Sequence, residues 1–431
     1  MPDSMTVKNS FLAEQYDKII HKSGLTVYVF PKKLSTAYAS LTVKFGSLDS
    51  KFRFENEDDF LCLPDGIAHF LEHKMFESED HIDTFDKFAA VGANANAYTT
   101  HESTTYLFST AGDIGAPLKI LVDYVFHPYF TDKNVQKEVG IIRQEIKMYA
   151  DSPMSRLYDS MMELLYVNHG IRTNICGSCE SIAEITPELL LRCHRAFYRP
   201  DNMILIVVGD VTSEGVLSIV DSVMPQLTKE PAVIREYPEE PPAINSQAAE
   251  FRMDISRPKL CVGIKDTAIP ATPRERERRA IAMNLLCDLF FGESTPFFDR
   301  LYRSGLISRD FSAYYESAYG CAHMLLCAAT DDPTALLSEL RQEFSAIREN
   351  PTIEPADFYR IHSVHYAEYV KDFDSTEEIA SALLDTVIDG TELFETGALI
   401  RSVTLPEILA LAKEFFHEDL MSHVVILPMK G

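Results

Sequence analysis

Gly66-Ile67-Ala68-His69-Phe70-Leu71-Glu72-His73-Lys74-Met75-Phe76 is the stretch on which the reading of this chain turns. Two histidines four residues apart share one face of a helix, about one turn or ~6 Å apart along its axis. That spacing lets both imidazoles of His69 and His73 reach a single zinc ion. Glu72 projects beside the same face, close enough to handle the proton of a water at the metal. The order H-x-x-E-H reverses the commoner H-E-x-x-H. Pro64 and Asp65 precede it as helix-start residues, with Asp65 expected to be the N-cap. Such pairs also arise on solvated helix faces, so the motif calls for a third ligand elsewhere in the chain.

The chain offers one. A helix expected over residues 134–149 carries Glu138 and Glu145, and a separation of seven residues puts both carboxylates on one face, ~10 Å apart. One can ligate zinc while the other orients a ligating histidine through its free ring N–H. Val139, Ile141, Ile142 and Ile146 predict a largely buried helix, where a carboxylate is costly and therefore informative. Upstream, residues 93–100 and 104–108 read as adjacent strands. Small and polar side chains in the first of them, including Asn96, Ala97 and Tyr98, suit an edge strand with which another chain can pair.

A formal net charge of −25 over 431 residues argues against a nucleic-acid or anionic-membrane partner, which would call for a basic surface. No uncharged apolar run is long enough to span a bilayer. The first 18 residues lack a basic segment followed by an apolar one, so a cytoplasmic protein is expected. The 8 cysteines are scattered and read as free thiols. Cys176-Gly177-Ser178-Cys179 is an isolated C-x-x-C, with no second copy to complete a zinc ribbon. His362 and His365, followed by Glu368, lack a further ligand and read as surface or capping residues.

Residues 227–250, with prolines at 231, 238, 241 and 242 among many charges, read as an interdomain linker. Beyond it the chain starts again. Thr186-Pro-Glu-Leu189 through Val208 matches Leu405-Pro-Glu-Ile408 through Leu427 at an offset of 219 residues, and the same offset places Leu41–Phe45 on Leu260–Ile264. At the metal positions the second copy carries Asp288, Phe291, Gly292 and Val364. The organisation expected is a catalytic zinc-binding domain over 1–230, a linker over 231–250, and a homologous domain without a zinc site over 251–431.

Taken together, the H-x-x-E-H motif, the Asn96-Ala97-Tyr98-Thr99 strand, the Glu138/Glu145 pair and the duplicated halves resemble the pitrilysin/insulinase (M16) zinc peptidases. Within that family the chain is similar to the short-chain, processing-peptidase-like branch and its YmfH-type bacterial members. The resemblance implies an α+β fold of two homologous domains, each an antiparallel sheet covered by helices. It implies one zinc ion per chain on His69, His73 and Glu145, with Glu72 as general base and Glu138 behind the ligands. It assigns Asn96, Ala97 and Tyr98 to the strand that pairs with a peptide substrate. The activity implied is that of a zinc metalloendopeptidase, the catalytic subunit of a homodimer or of a heterodimer with a paralogue lacking the zinc motif. A non-catalytic assembly or peptide-binding subunit is the alternative. One departure stands out. Many members carry an arginine and a tyrosine in the second half, and the matching positions here hold Tyr302 and Ser308.

Overall fold

The computed structural model describes residues 3–224, 230–318 and 320–429. The chain forms two compact units: residues 1–147, 173–238 and 372–385 in one, and 148–172, 239–371 and 386–431 in the other. This is not the colinear division expected around 231–250. Each unit takes in a helical segment from the other half of the sequence.

In the first unit, strands β1 (Asp3–Asn9), β2 (Glu14–Ile20), β3 (Thr26–Pro31), β4 (Ala37–Val43), β7 (Ala93–Thr99), β8 (Thr104–Thr110) and β9 (Met203–Gly209) form one sheet in the order β1-β2-β3-β9-β4-β8-β7. Strands β5 (Lys51–Phe54), β6 (Leu61–Cys62) and β10 (Val233–Arg235) make a small second sheet, so part of the expected linker is strand. In the second unit, β11 (Ala248–Met253), β12 (Lys259–Lys265), β13 (Ser312–Ala318), β14 (Cys321–Ala329) and β15 (Met421–Pro428) follow the order β11-β15-β12-β14-β13.

The two orders are one topology used twice. β7 and β13 lie 219 residues apart, and both sit at a sheet edge. Both sheets depart from the purely antiparallel expectation at one pair, β3 with β9 and β11 with β15, which run parallel. Parallel neighbours need a long crossover, and here almost a whole repeat separates the two strands.

The central strands of each sheet are covered on both faces, which explains runs such as Met203-Ile-Leu-Ile-Val-Val-Gly209, buried at every residue. In the first unit Val27, Leu41, Leu205 and Val207 point into a core shared with Phe70 and Leu71 of the histidine helix. On the opposite face Phe30 meets Phe373, with ring centroids 6.3 Å apart, and Thr36 contacts Thr376 at 3.3 Å. In the second unit the helix Pro153–Leu165 places Leu157, Met161 and Leu165 against Cys261, Val424 and Ile426. Gly263 in β12 admits that helix, because a Cβ there would stand 2.4 Å from the Met161 sulfur. The helices Pro153–Leu165 and Thr376–Asp389 occupy corresponding places in the repeat, and each belongs wholly or largely to the other half's unit.

Candidate metal centre

The helix carrying the histidines runs from Ile67 to Lys74, and its N-cap is Gly66 rather than Asp65. Gly66 is left-handed, with φ of 89°, a conformation glycine adopts at no steric cost. A Cβ on Gly66 would lie 2.4 Å from the Cys176 carbonyl oxygen, and one on Gly177 would lie 2.3 Å from that of Asp65. The loop around Cys176 therefore packs directly onto the start of the helix. Asp65 serves that junction instead of capping, its carbonyl accepting a hydrogen bond from the Ser181 hydroxyl at 2.8 Å.

Four-residue spacing brings the two imidazoles together, with ring centroids 4.6 Å apart. Glu145 reaches them from the helix Asp132–Ala150. Its Oε1 stands 3.6 Å from His69 Nε2 and its Oε2 3.5 Å from His73 Nε2. Neighbouring ligands on a tetrahedral ion with bonds of 2.0–2.2 Å stand about 3.4 Å apart, which both histidine–glutamate separations match, each through a different Glu145 oxygen. Two neutral nitrogens and one carboxylate are also the kind of donors zinc takes.

Glu138, one face-repeat earlier on the same helix, accepts from His73 Nδ1 at 3.0 Å. That contact orients the ring so that Nε2 points toward Glu145. Lys74, fully buried, lies 3.5 Å from Glu138 and 3.0 Å from Glu77. Burial works against the Glu138 charge, but His73 and Lys74 outweigh it and hold the carboxyl below its ordinary range. Burial likewise favours a neutral His73, yet the Glu138 hydrogen bond and the surrounding carboxylates raise its pKa. The second imidazole is supported differently, since His69 Nδ1 is buried with no hydrogen-bond partner among the described residues.

Glu72 is buried beside the imidazoles, and burial pushes its carboxyl upward. Its Oε2 accepts from the Thr99 hydroxyl at 2.5 Å. Thr99 and Lys74 were not singled out from the sequence, because only the tertiary fold brings the end of β7 and the far helix to this face. The signal available was the position of Thr99, directly after the expected peptide-pairing residues.

Among the described residues β7 is paired on one side only, with β8. Along it Asn96 and Tyr98 are exposed, whereas Ala95 and Ala97 pack against the core. The Ala97 N–H donates to the Asn96 side-chain carbonyl at 2.9 Å, so its main-chain donor points off the sheet edge. His362 and His365 are held apart, by the Ile400 carbonyl at 2.8 Å and by Asp288 at 2.6 Å. Tyr302 is exposed at the end of a helix, and Ser308 accepts from Arg257 at 3.2 Å.

The H-x-x-E-H helix lies in the first repeat of a duplicated α+β frame. The insulinase (peptidase family M16) model matches residues 27–177, and the M16 inactive-domain model matches residues 184–363. The zinc protease YmfH of Bacillus subtilis is 35% identical over 94% of this chain and 95% of its own length. An M16-like peptidase structure from Alicyclobacillus acidocaldarius superposes with a TM-score of 0.91 at 31% identity, covering 98% of this chain and 100% of that one. A protease from Helicobacter pylori shares the fold, with a TM-score of 0.83 at 20% identity over 96% of this chain and 100% of that one. The chain belongs to peptidase family M16, in its YmfH-type branch.

Proposed function

We propose that this chain is a zinc metalloendopeptidase in which His69, His73 and Glu145 hold the ion and Glu72 is the general base. The observation that carries the reading is the pair of imidazole Nε2 atoms facing the two oxygens of one carboxylate, at 3.6 and 3.5 Å. Relatives named as zinc proteases support it. Bound at this centre, zinc supplies Lewis acidity, lowering the pKa of a water and polarising a peptide carbonyl. Thr99 engages Oε2 of Glu72 and leaves Oε1 to take the water's proton and pass it to the departing amine.

The open edge of β7 supports peptide binding by main-chain pairing, which recognises an extended backbone more than a particular sequence. Asn96 releases the Ala97 N–H when a peptide arrives, and Tyr98 contributes an exposed face beside it. The missing arginine and tyrosine, replaced by Tyr302 and Ser308, favour a heterodimer whose partner is a paralogue without the zinc motif. No cysteine is in a disulfide, and no helix among the described residues is long and apolar enough to cross a membrane, both in keeping with a cytoplasmic setting.

Peptide cleavage and zinc content of the wild type and Glu72→Gln test the reading. Retained zinc with cleavage reduced about 10²–10⁴-fold supports the enzyme. Equal rates, or a wild type without zinc, point to a peptide-binding subunit instead. Full activity of the chain alone, unchanged by any paralogue, would remove the heterodimer from the account.

A further inference from the structure

The isolated C-x-x-C is not used by the chemistry above, yet its first cysteine faces the metal donors. Cys176 is buried, and its Sγ lies 4.0 Å from His69 Nε2. His69, Glu145 and Cys176 each offer a ligand atom, and these atoms all lie within 4.8 Å of one another, a grouping that does not take in His73. The backbone that carries the thiol is positioned by its loop. The Cys176 amide donates to the Asn174 side chain at 2.9 Å, and the backbone of residues 176–177 packs directly onto that of residues 65–66. Cys179 is half-exposed and stands outside this cluster.

Sulfur and nitrogen ligands on one tetrahedral zinc stand about 3.5 Å apart, given bonds of about 2.3 and 2.0 Å. The observed separation is wider by about 0.5 Å, a distance that rotation of one cysteine side chain covers. We propose that Cys176 is a fourth protein ligand of the ion when no peptide is bound, holding the position that water must take before hydrolysis. This rests on the ligand assignment of the proposed function. When the sulfur–metal bond forms, the thiol proton leaves to solvent. When water displaces the sulfur, that bond breaks and the thiolate recovers a proton, with no change of oxidation state. A soft thiolate also biases the centre toward zinc over harder ions such as magnesium or manganese. The competing account is that Cys176 packs as a small apolar side chain, as buried cysteines commonly do.

Cobalt(II) added to the metal-free full-length chain separates the two, because a thiolate ligand gives a charge-transfer band in the near ultraviolet. Wild type and Cys179→Ala should show that band at one cobalt per chain. Cys176→Ala should keep the visible bands of bound cobalt, lose the near-ultraviolet band and bind cobalt about tenfold or more weakly. Cys176→Ser, closer in size, should lose the band equally, and matching thermal unfolding of the metal-free proteins excludes a folding defect. One bound cobalt without the band in wild type overturns the proposal and leaves the ligand assignment standing, as does an unchanged band in Cys176→Ala. A wild type that binds no cobalt overturns both.

Discussion

The Thr99 hydroxyl donates to Glu72 Oε2 at 2.5 Å, tying the end of the edge strand to the carboxylate assigned as base. Thr99 thus acts through Glu72, lowering its pKa against the upward push of burial. Thr99→Val should raise that pKa, so the acidic limb of the pH–rate profile moves to higher pH. The maximal rate should fall about tenfold, at the lower end of what positioned proton transfer contributes. Thr99→Ser should restore both. A rate loss with an unmoved acidic limb would mean that Thr99 only shapes the strand.

Glu138 should matter for metal retention. Glu138→Gln keeps the shape but removes the charge that His73 Nδ1 and Lys74 face. Zinc affinity should drop about 10–100-fold, measured by competition with a chelator.

Lys74 and Glu138 should also be coupled in stability. Lys74 is completely buried, so Glu138→Gln or Lys74→Met alone leaves a buried charge with less compensation. Breaking one partner of such a pair costs about 3–5 kcal/mol, and removing both costs less than the sum. Urea unfolding of the two single variants and the double variant measures the difference. Simple additivity would show that Glu77 alone neutralises Lys74.

Two left-handed glycines should respond unequally to alanine. Gly92 has φ of 73° and open space around an added Cβ, so Gly92→Ala should cost only about 1–2 kcal/mol of conformational strain. Gly66→Ala meets the same strain and also the Cys176 carbonyl at 2.4 Å. It should destabilise by more than Gly92→Ala and weaken zinc binding, because the loop and the helix start must separate.

His194 should make stability depend on pH. It is buried, bonded to the Val125 carbonyl at 3.0 Å, and burial drives its pKa down to about 4. The unfolded chain, with a pKa near 6.5, then binds the proton more readily, so stability is complete above about pH 6.5 and falls as pH drops toward 4. The loss should be about 2 kcal/mol between pH 7 and pH 5. His194→Gln should flatten this part of the profile by that amount, read from urea unfolding at the two pH values.

What the sequence disclosed about the fold is the repeat and, through it, the shared strand order. The match at an offset of 219 is readable because β9 is buried at every residue and the corresponding β15 buries Val424 and Ile426 among aliphatic neighbours. Helical periodicity was equally legible, since it alone places His69, His73, Glu138 and Glu145 on their faces. Contacts made only through tertiary packing were not: Thr99 with Glu72, Lys74 with Glu138, and Cys176 with His69. The helix start went astray for a related reason. Asp65 has the side chain of an N-cap, but the close approach of Cys176 demands a glycine at the cap itself. In the second repeat, Asp288 stands where His69 stands in the first, and it pairs with His365 at 2.6 Å. The position of a proposed metal donor in one repeat thus holds a carboxylate that contacts an imidazole in the other.

The reciprocal placement of Pro153–Leu165 and residues 372–385 bears on how such a chain can be divided. A polypeptide ending after the first repeat would lack the segment that shields Phe30 and Thr36, and would carry an amphipathic helix with no sheet to receive it. The half bearing the zinc motif is thus an incomplete folding unit. A duplication joined in this way cannot be undone by cutting at the middle, even though all the proposed metal donors lie upstream of the cut.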